Sequence, residues 1–89
     1  MRKTEIAWQR YSEARDDLMR RRVGDRKYEV SRRSTGEILA FVVQTGERSR
    51  DTYPWEIQLL NDWCEKWPSP VSTLVEGLDW IAGRLAEKA

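Results

Sequence analysis

Residues 27–43 are written as a β-hairpin, and that constrains what the rest of the chain has to supply. Tyr28 and Val30 alternate with Glu29 and Ser31, Arg33, Ser34, Thr35, Gly36 and Glu37 provide turn chemistry, and 38–43 is a continuous apolar run of strand formers. An isolated hairpin is marginal in water. A stable domain therefore needs a further strand and helices to cover one face of the sheet.

The further strand is read over 53–60, where Tyr53, Trp55, Ile57 and Leu59 alternate and Pro54 is tolerable on an edge. Ile57, Leu60, Trp63, Cys64 and Trp67 also fit a helix with Pro54 in its first turn. The strand reading is preferred, followed by an irregular aromatic connection to about residue 67. Residues 45–51 are a polar loop.

A first helix is predicted over 4–22, which contains neither Pro nor Gly. Trp8, Tyr11 and Leu18 recur at helical spacing, with Ala7, Ala14 and Met19 at the edges, Thr4 as a cap, and Gly24 and Asp25 beyond the end. Arg15 and Arg22 fall in the same stripe and must snorkel, pair with acids or face a partner. A last helix is predicted over 71–87. Ser69 and Pro70 precede it, Thr73 with Glu76 makes a capping box, and Leu74, Leu78, Ile81 and Leu85 form its apolar stripe, with Val75 and Ala82 alongside. Trp80 lies well off that stripe, with Glu76 and Arg84, and is expected to be exposed.

The order is then α-β-β-β-α: one α+β domain over 1–89, a three-stranded antiparallel sheet with two helices packed on one face. Double-stranded-RNA-binding domains share that order, but their lysine-rich entrance to the second helix is replaced here by Ser69, Pro70, Val71, Ser72 and Thr73. A second resemblance covers residues 27–85. Thr35-Gly36-Glu37-Ile38-Leu39, Pro54-Trp55-Glu56 and Thr73-Leu74-Val75-Glu76 resemble segments of small accessory proteins of actinobacteria and their phages. That resemblance implies an accessory protein and no chemistry.

The residues present argue against catalysis. The sequence has no His, so the commonest acid–base group is missing and nucleophile–His pairs are excluded. Its single cysteine, Cys64, allows no intrachain disulfide and no zinc site. A nucleophilic role for Cys64 would need Lys66 or a helix end to lower its pKa, and a buried or incidental thiol is the simpler reading. Asp16 and Asp17 sit beside Arg15 and Arg20, where ordinary ion pairing explains them. The glycines are isolated, so there is no phosphate loop. A non-enzyme with no cofactor and no metal is expected. No apolar run reaches the ~18–20 residues of a membrane span, and no signal-peptide core follows Met1; no membrane partner and a reducing, cytoplasmic setting are expected.

Charge and aromatics point to partners. Residues 1–50 hold 13 Lys/Arg and 8 Asp/Glu, a net of +5, and residues 51–89 hold 3 and 7, a net of −4. Arg20, Arg21, Arg22, Arg26, Lys27, Arg32 and Arg33 crowd into one segment, which suits a solvated face or a polyanion such as nucleic acid. Of the five tryptophans, Trp8 and Trp55 are assigned to the core. Trp63, Trp67 and Trp80 either pack as a satellite cluster or serve as interface anchors within an acidic rim of Glu56, Asp62, Glu65, Glu76 and Asp79. The favoured reading is a small non-enzymatic protein-binding module, accessory or inhibitory, whose partner-binding residues are Trp63, Trp67, Trp80, Glu76 and Arg84. Nucleic-acid binding through the basic 20–33 segment is the alternative. A homodimer with basic and acidic halves facing each other is a third reading.

Overall fold

The computed structural model describes residues 3–45 and 53–88, with side chains described over 7–45 and 53–87. Helix α1 (Lys3–Asp16) is followed by strands β1 (Leu18–Gly24), β2 (Lys27–Arg32), β3 (Ile38–Gln44) and β4 (Trp55–Leu59), then helix α2 (Leu74–Lys88). The expected α+β class holds, with two helices and an antiparallel sheet, but the sheet has four strands in the order β1-β2-β3-β4 rather than three. The parallel with the double-stranded-RNA-binding order falls with that extra strand. Residues 46–51 of the loop expected over 45–51 lie outside the described residues, and the side chain of the expected Thr4 cap lies outside the described side chains.

The extra strand comes from the predicted first helix, which stops at Asp16 instead of continuing to residue 22. Leu18, Met19 and the three arginines 20–22 are good helix formers, so local propensity gave no warning. Pairing decides otherwise: Leu18 lies opposite Arg32, Arg20 opposite Val30 and Arg22 opposite Tyr28. Asp17 fixes the switch. Its carbonyl accepts from the Arg33 N–H at 2.6 Å. Its carboxylate accepts from the Ser34 hydroxyl at 2.7 Å, the Ser34 N–H at 2.9 Å and Arg32 Nε at 3.4 Å. The end of α1 is thereby tied to the β2–β3 turn, where Gly36 has φ +75°, a conformation that glycine adopts without steric cost.

The hairpin and the third predicted strand form as the alternation implies. One sheet face carries the rows Arg20–Val30–Ala40–Leu59 and Arg22–Tyr28–Val42–Ile57. Leu39 is the extra residue of a bulge between the Val30–Ala40 and Ser31–Ile38 pairs, and it is buried together with Ala40. Against this face lies α2, whose Leu78, Ile81 and Ala82 are buried. Gly77 faces β3, β4 and the residue bridged to Trp55: a β-carbon there would make ordinary van der Waals contact with Val42, Val71 and Ile57 at 3.4, 3.5 and 3.7 Å. Helix α1 packs on α2, joined by Arg15 Nε to Asp79 Oδ1 at 3.1 Å.

Two aromatic expectations change. Trp8 is 69% exposed rather than core, stacked on Tyr11 at 5.8 Å between ring centres. The α1 stripe loses its lower half to β1, which leaves Tyr11 and Ala14 to meet the core. Trp80 is half-buried against the core instead of exposed, because α2 meets both the sheet and α1 and so buries an arc wider than its leucine stripe. Trp55 is partly buried against the core, as expected in kind.

Leu78→Ala or Ile81→Ala is expected to cost about 2–5 kcal/mol in denaturant unfolding, the range for cavities in a packed core. Gly83 is an interior α2 position with nothing within 4 Å of an added β-carbon, so Gly83→Ala is expected to stabilise by about 0.5–1 kcal/mol. A Gly83→Ala variant less stable than the parent would contradict this packing of α2.

Candidate functional site

Past β4 the chain crosses back beneath the sheet edge as a strap, residues 61–73. Asn61 and Asp62 turn it through two left-handed residues, φ 62° and 49°, a conformation Asn and Asp tolerate better than most. Asn61 Nδ2 donates to Ile38 O at 3.1 Å. The carbonyl of Leu39 then accepts twice, from Leu60 N–H at 2.9 Å and from Trp63 Nε1 at 2.8 Å. The far end is pinned where Val71 and Trp55 exchange backbone hydrogen bonds at 2.8 and 3.1 Å. Lys66 Nζ reaches Glu87 Oε2 at 3.7 Å, tying the middle of the strap to α2.

Between β4 and the strap lies a cavity of about 710 Å³. Residues 56–59 form one wall, and Asp62, Cys64, Glu65, Lys66, Trp67 and Pro68 are on the other. Trp67 is 93% exposed. Glu56, Asp62 and Glu65 put three carboxylates around this space, while its one lysine points to Glu87. The surface is therefore acidic with an uncovered aromatic.

The structure separates the partner-binding residues expected from sequence. Trp67 stands free of the core. Trp63 is held by the Leu39 carbonyl and packs on the core. Trp80 lies under the Arg84 guanidinium, 5.5 Å from its ring centre. Arg84 bonds Glu87 at 3.0 Å through Nη1, while its buried Nε has no partner among the described residues. Glu76 serves the start of α2: the Ser72 N–H donates to its carboxylate at 3.0 Å, the Ser72 hydroxyl donates to the same oxygen, and the Glu76 N–H donates to Thr73 Oγ1 at 3.1 Å. The capping box thus forms with Ser72 as the carboxylate's partner. Glu56, Asp62 and Glu65 were placed in the acidic rim from charge alone, but the cavity they share depends on the path of the strap, which periodicity does not encode.

The basic segment is spread over two sheet faces and two turns. Arg20 and Arg22 share the helix-side face, while Arg21 and Lys27 lie on the other face. Arg21 meets Glu29 at 3.5 Å, Arg22 meets Asp25 at 3.2 Å and Arg32 meets Asp17 at 3.4 Å. Lys27 sits 4.0 Å over the Phe41 ring centre. Arg26 occupies the β1–β2 turn. Arg20 and Arg33 instead line, with Arg15, a cavity of about 390 Å³ beside Met19, Val75 and Leu78.

Among the described residues no cluster of three His, Cys, Asp or Glu side chains is placed to hold a metal ion, and no helix is long and apolar enough to cross a membrane. No family model, curated protein or solved structure matches the chain.

Hydrogen bonding gives two carboxylates a measurable signature. The Ser34 hydroxyl, then its N–H and Arg32, hold Asp17 below its ordinary pKa, and Ser72 does the same for Glu76. A carboxylate whose folded pKa is depressed stabilises the fold above its unfolded pKa and loses that contribution as pH falls through the folded value. Stability in urea is therefore expected to hold from neutral pH to about pH 5 and to fall below about pH 4, the ordinary carboxylate range. Asp17→Asn and Glu76→Gln should each lower stability at pH 7 and flatten the acid limb. Acid limbs as steep as the parent's in both variants would show that these bonds do not form.

Proposed function

We propose that the protein is a non-enzymatic binding module that holds a cationic protein partner on the strap surface beside β4. The observation that carries this reading is Trp67, 93% exposed at the edge of a 710 Å³ cavity. An aromatic so uncovered contributes little to folding, yet tryptophan is the residue type most enriched where interfaces concentrate their affinity. Glu56, Asp62 and Glu65 supply a rim that attracts positive charge, orients the partner and raises its association rate. Trp63 fixes the strap, and Trp80 with Arg84 and Glu87 forms the floor to which Lys66 ties it. Of the residues expected from sequence, Trp67 is thus the contact residue, while Trp63, Trp80, Glu76 and Arg84 hold the platform.

The basic segment supports a second reading through one observation: Arg15, Arg20 and Arg33 converge on a cavity. Arg20 and Arg33 line one space with Arg15, whose guanidinium is held by Asp79; arginines suit phosphate oxygens, so nucleic acid would bind there and not along the whole 20–33 stretch.

The two readings separate in one capture experiment on nuclease-treated lysate. Trp67→Ala should change stability by about 0.5 kcal/mol or less and cut capture of bound proteins by about thirtyfold, the equivalent of a 2 kcal/mol hot spot. Glu65→Lys should cut it as well, and added salt should weaken what remains. Capture that is indifferent to Trp67→Ala would overturn the reading. A duplex mobility shift that loses salt dependence in an Arg20→Gln, Arg33→Gln variant would favour the second one.

A further inference from the structure

The cavity beside β4 is walled by backbone with directional hydrogen-bonding groups. In β4 the even positions bond to β3: Pro54 O accepts from Thr45 N–H at 2.8 Å, and the Leu60 N–H that follows the strand donates to Leu39 O at 2.9 Å. Trp55 faces the opposite way and exchanges both its backbone bonds with Val71. Strand alternation then aims the N–H and C=O groups of Ile57 and Leu59 outward too, on the side of the cavity that both residues line. Among the described residues, pairing on this outer edge stops at the Trp55–Val71 bridge. Had the strap stayed in that antiparallel register, Ser69 would lie against Ile57 and Trp67 against Leu59. Neither pair forms, and the cavity takes their place.

We propose that this edge receives a short, extended, cationic segment of the partner protein, added to the sheet as a fifth strand between β4 and the strap. The inference rests on the protein-binding reading above and specifies how that partner is held. Main-chain bonds to Ile57 and Leu59 would give affinity without regard to sequence, and the walls would choose the side chains. Glu56, Asp62 and Glu65 select Lys or Arg, since the cavity's own lysine is engaged by Glu87. Trp67 and Pro68 offer an apolar surface to the alternate residues. The opening is short. It is closed at one end by the Trp55–Val71 pair and at the other by the Asn61–Asp62 turn, so about 13 Å of edge lies between residues 55 and 59 at ~3.3 Å per residue. Strand β1 of a second copy is cationic as well, but its seven residues are part of a folded sheet, and Val71 stands in the path of so long a strand.

The test begins with selection of ligands for the whole chain from a displayed library of random heptapeptides, followed by synthesis of the best binder. Enrichment in Lys and Arg is expected. At saturation, amide exchange at Ile57 and Leu59 should slow about tenfold or more, since protection follows hydrogen bonding and burial. Methylating alternate backbone nitrogens on the bonding edge of that peptide should weaken binding at least about tenfold, with its charge unchanged. A library yielding no ligand, ligands that are not cationic, or unchanged exchange at Ile57 and Leu59 would each overturn strand addition. Protection that appears without peptide as protein concentration rises would overturn it in favour of a second copy. If lysate capture depends on Trp67 while exchange at Ile57 and Leu59 stays unchanged, the partner surface stands and strand addition alone fails. The converse result removes the Trp67 surface and keeps the groove.

Discussion

The contact of α2 with β3 and β4 governs the rest of the molecule. At Gly77 the helix faces the Val42, Val71 and Ile57 side chains, which an added β-carbon would meet at ordinary van der Waals distance. Leu78, Ile81 and Ala82 fill the space over Val30, Ala40 and Val42, all buried to 3% exposure or less. Because Val71 belongs both to this contact and to the bridge with Trp55, the seating of α2 also fixes the far end of the strap. The acidic cavity is therefore a by-product of core packing, and its width is set by where the helix can start.

That dependence explains the capping arrangement at the start of α2. Thr73 satisfies the Glu76 N–H, one of the groups that a helix start leaves unpaired, and Glu76 satisfies the Ser72 N–H in return, immediately after the residue that closes the sheet edge. A loosened cap would release Val71 and the strap together. Asp17 does the same for the opposite part of the sheet, holding the turn of the central hairpin against the end of α1. Two short polar clusters, each built on one carboxylate, thus define the two places where helix meets sheet.

Legibility in the sequence followed the amount of apolar periodicity each element carries. The hairpin and α2 could be read because Val30, the 38–43 run and the 74–85 stripe face a core. β4 could be read through its alternation, although a helix fitted nearly as well. β1 could not: after Leu18 its residues are exposed, so it has no apolar face to announce it, and Arg20 to Arg22 read as helix. Only pairing with β2 makes it a strand, and pairing is a non-local property. Trp80 was misjudged for a related reason, since one stripe cannot report a second neighbour packed on the same helix. The acidic residues of the candidate site were visible as a charge excess, but their convergence with Trp67 was not, because two left-handed residues and a tryptophan indole clip direct the strap.

The charge asymmetry then acquires a structural meaning in the two edges of the sheet. An unpaired edge invites association with any other strand, and folded proteins protect such edges by charge or by cover. Here the two devices are divided between the edges. β1 carries arginines 20–22, so two copies that approached through β1 would repel each other. β4 is covered by the strap, which bonds at Val71 and then, among the described residues, leaves Ile57 and Leu59 unpaired on that side. If cover were all that was required, the ladder could have continued, since Pro68 and Pro70 would fall at positions pointing away from β4 and would cost no bond. The strap instead keeps its distance, with acids facing inward and its exposed tryptophan alongside. A covered edge of this kind differs from a sealed one: among the described residues the Trp55–Val71 pair closes one end, and the Ile57 and Leu59 backbone beyond it stays open beside Glu56, Asp62 and Glu65.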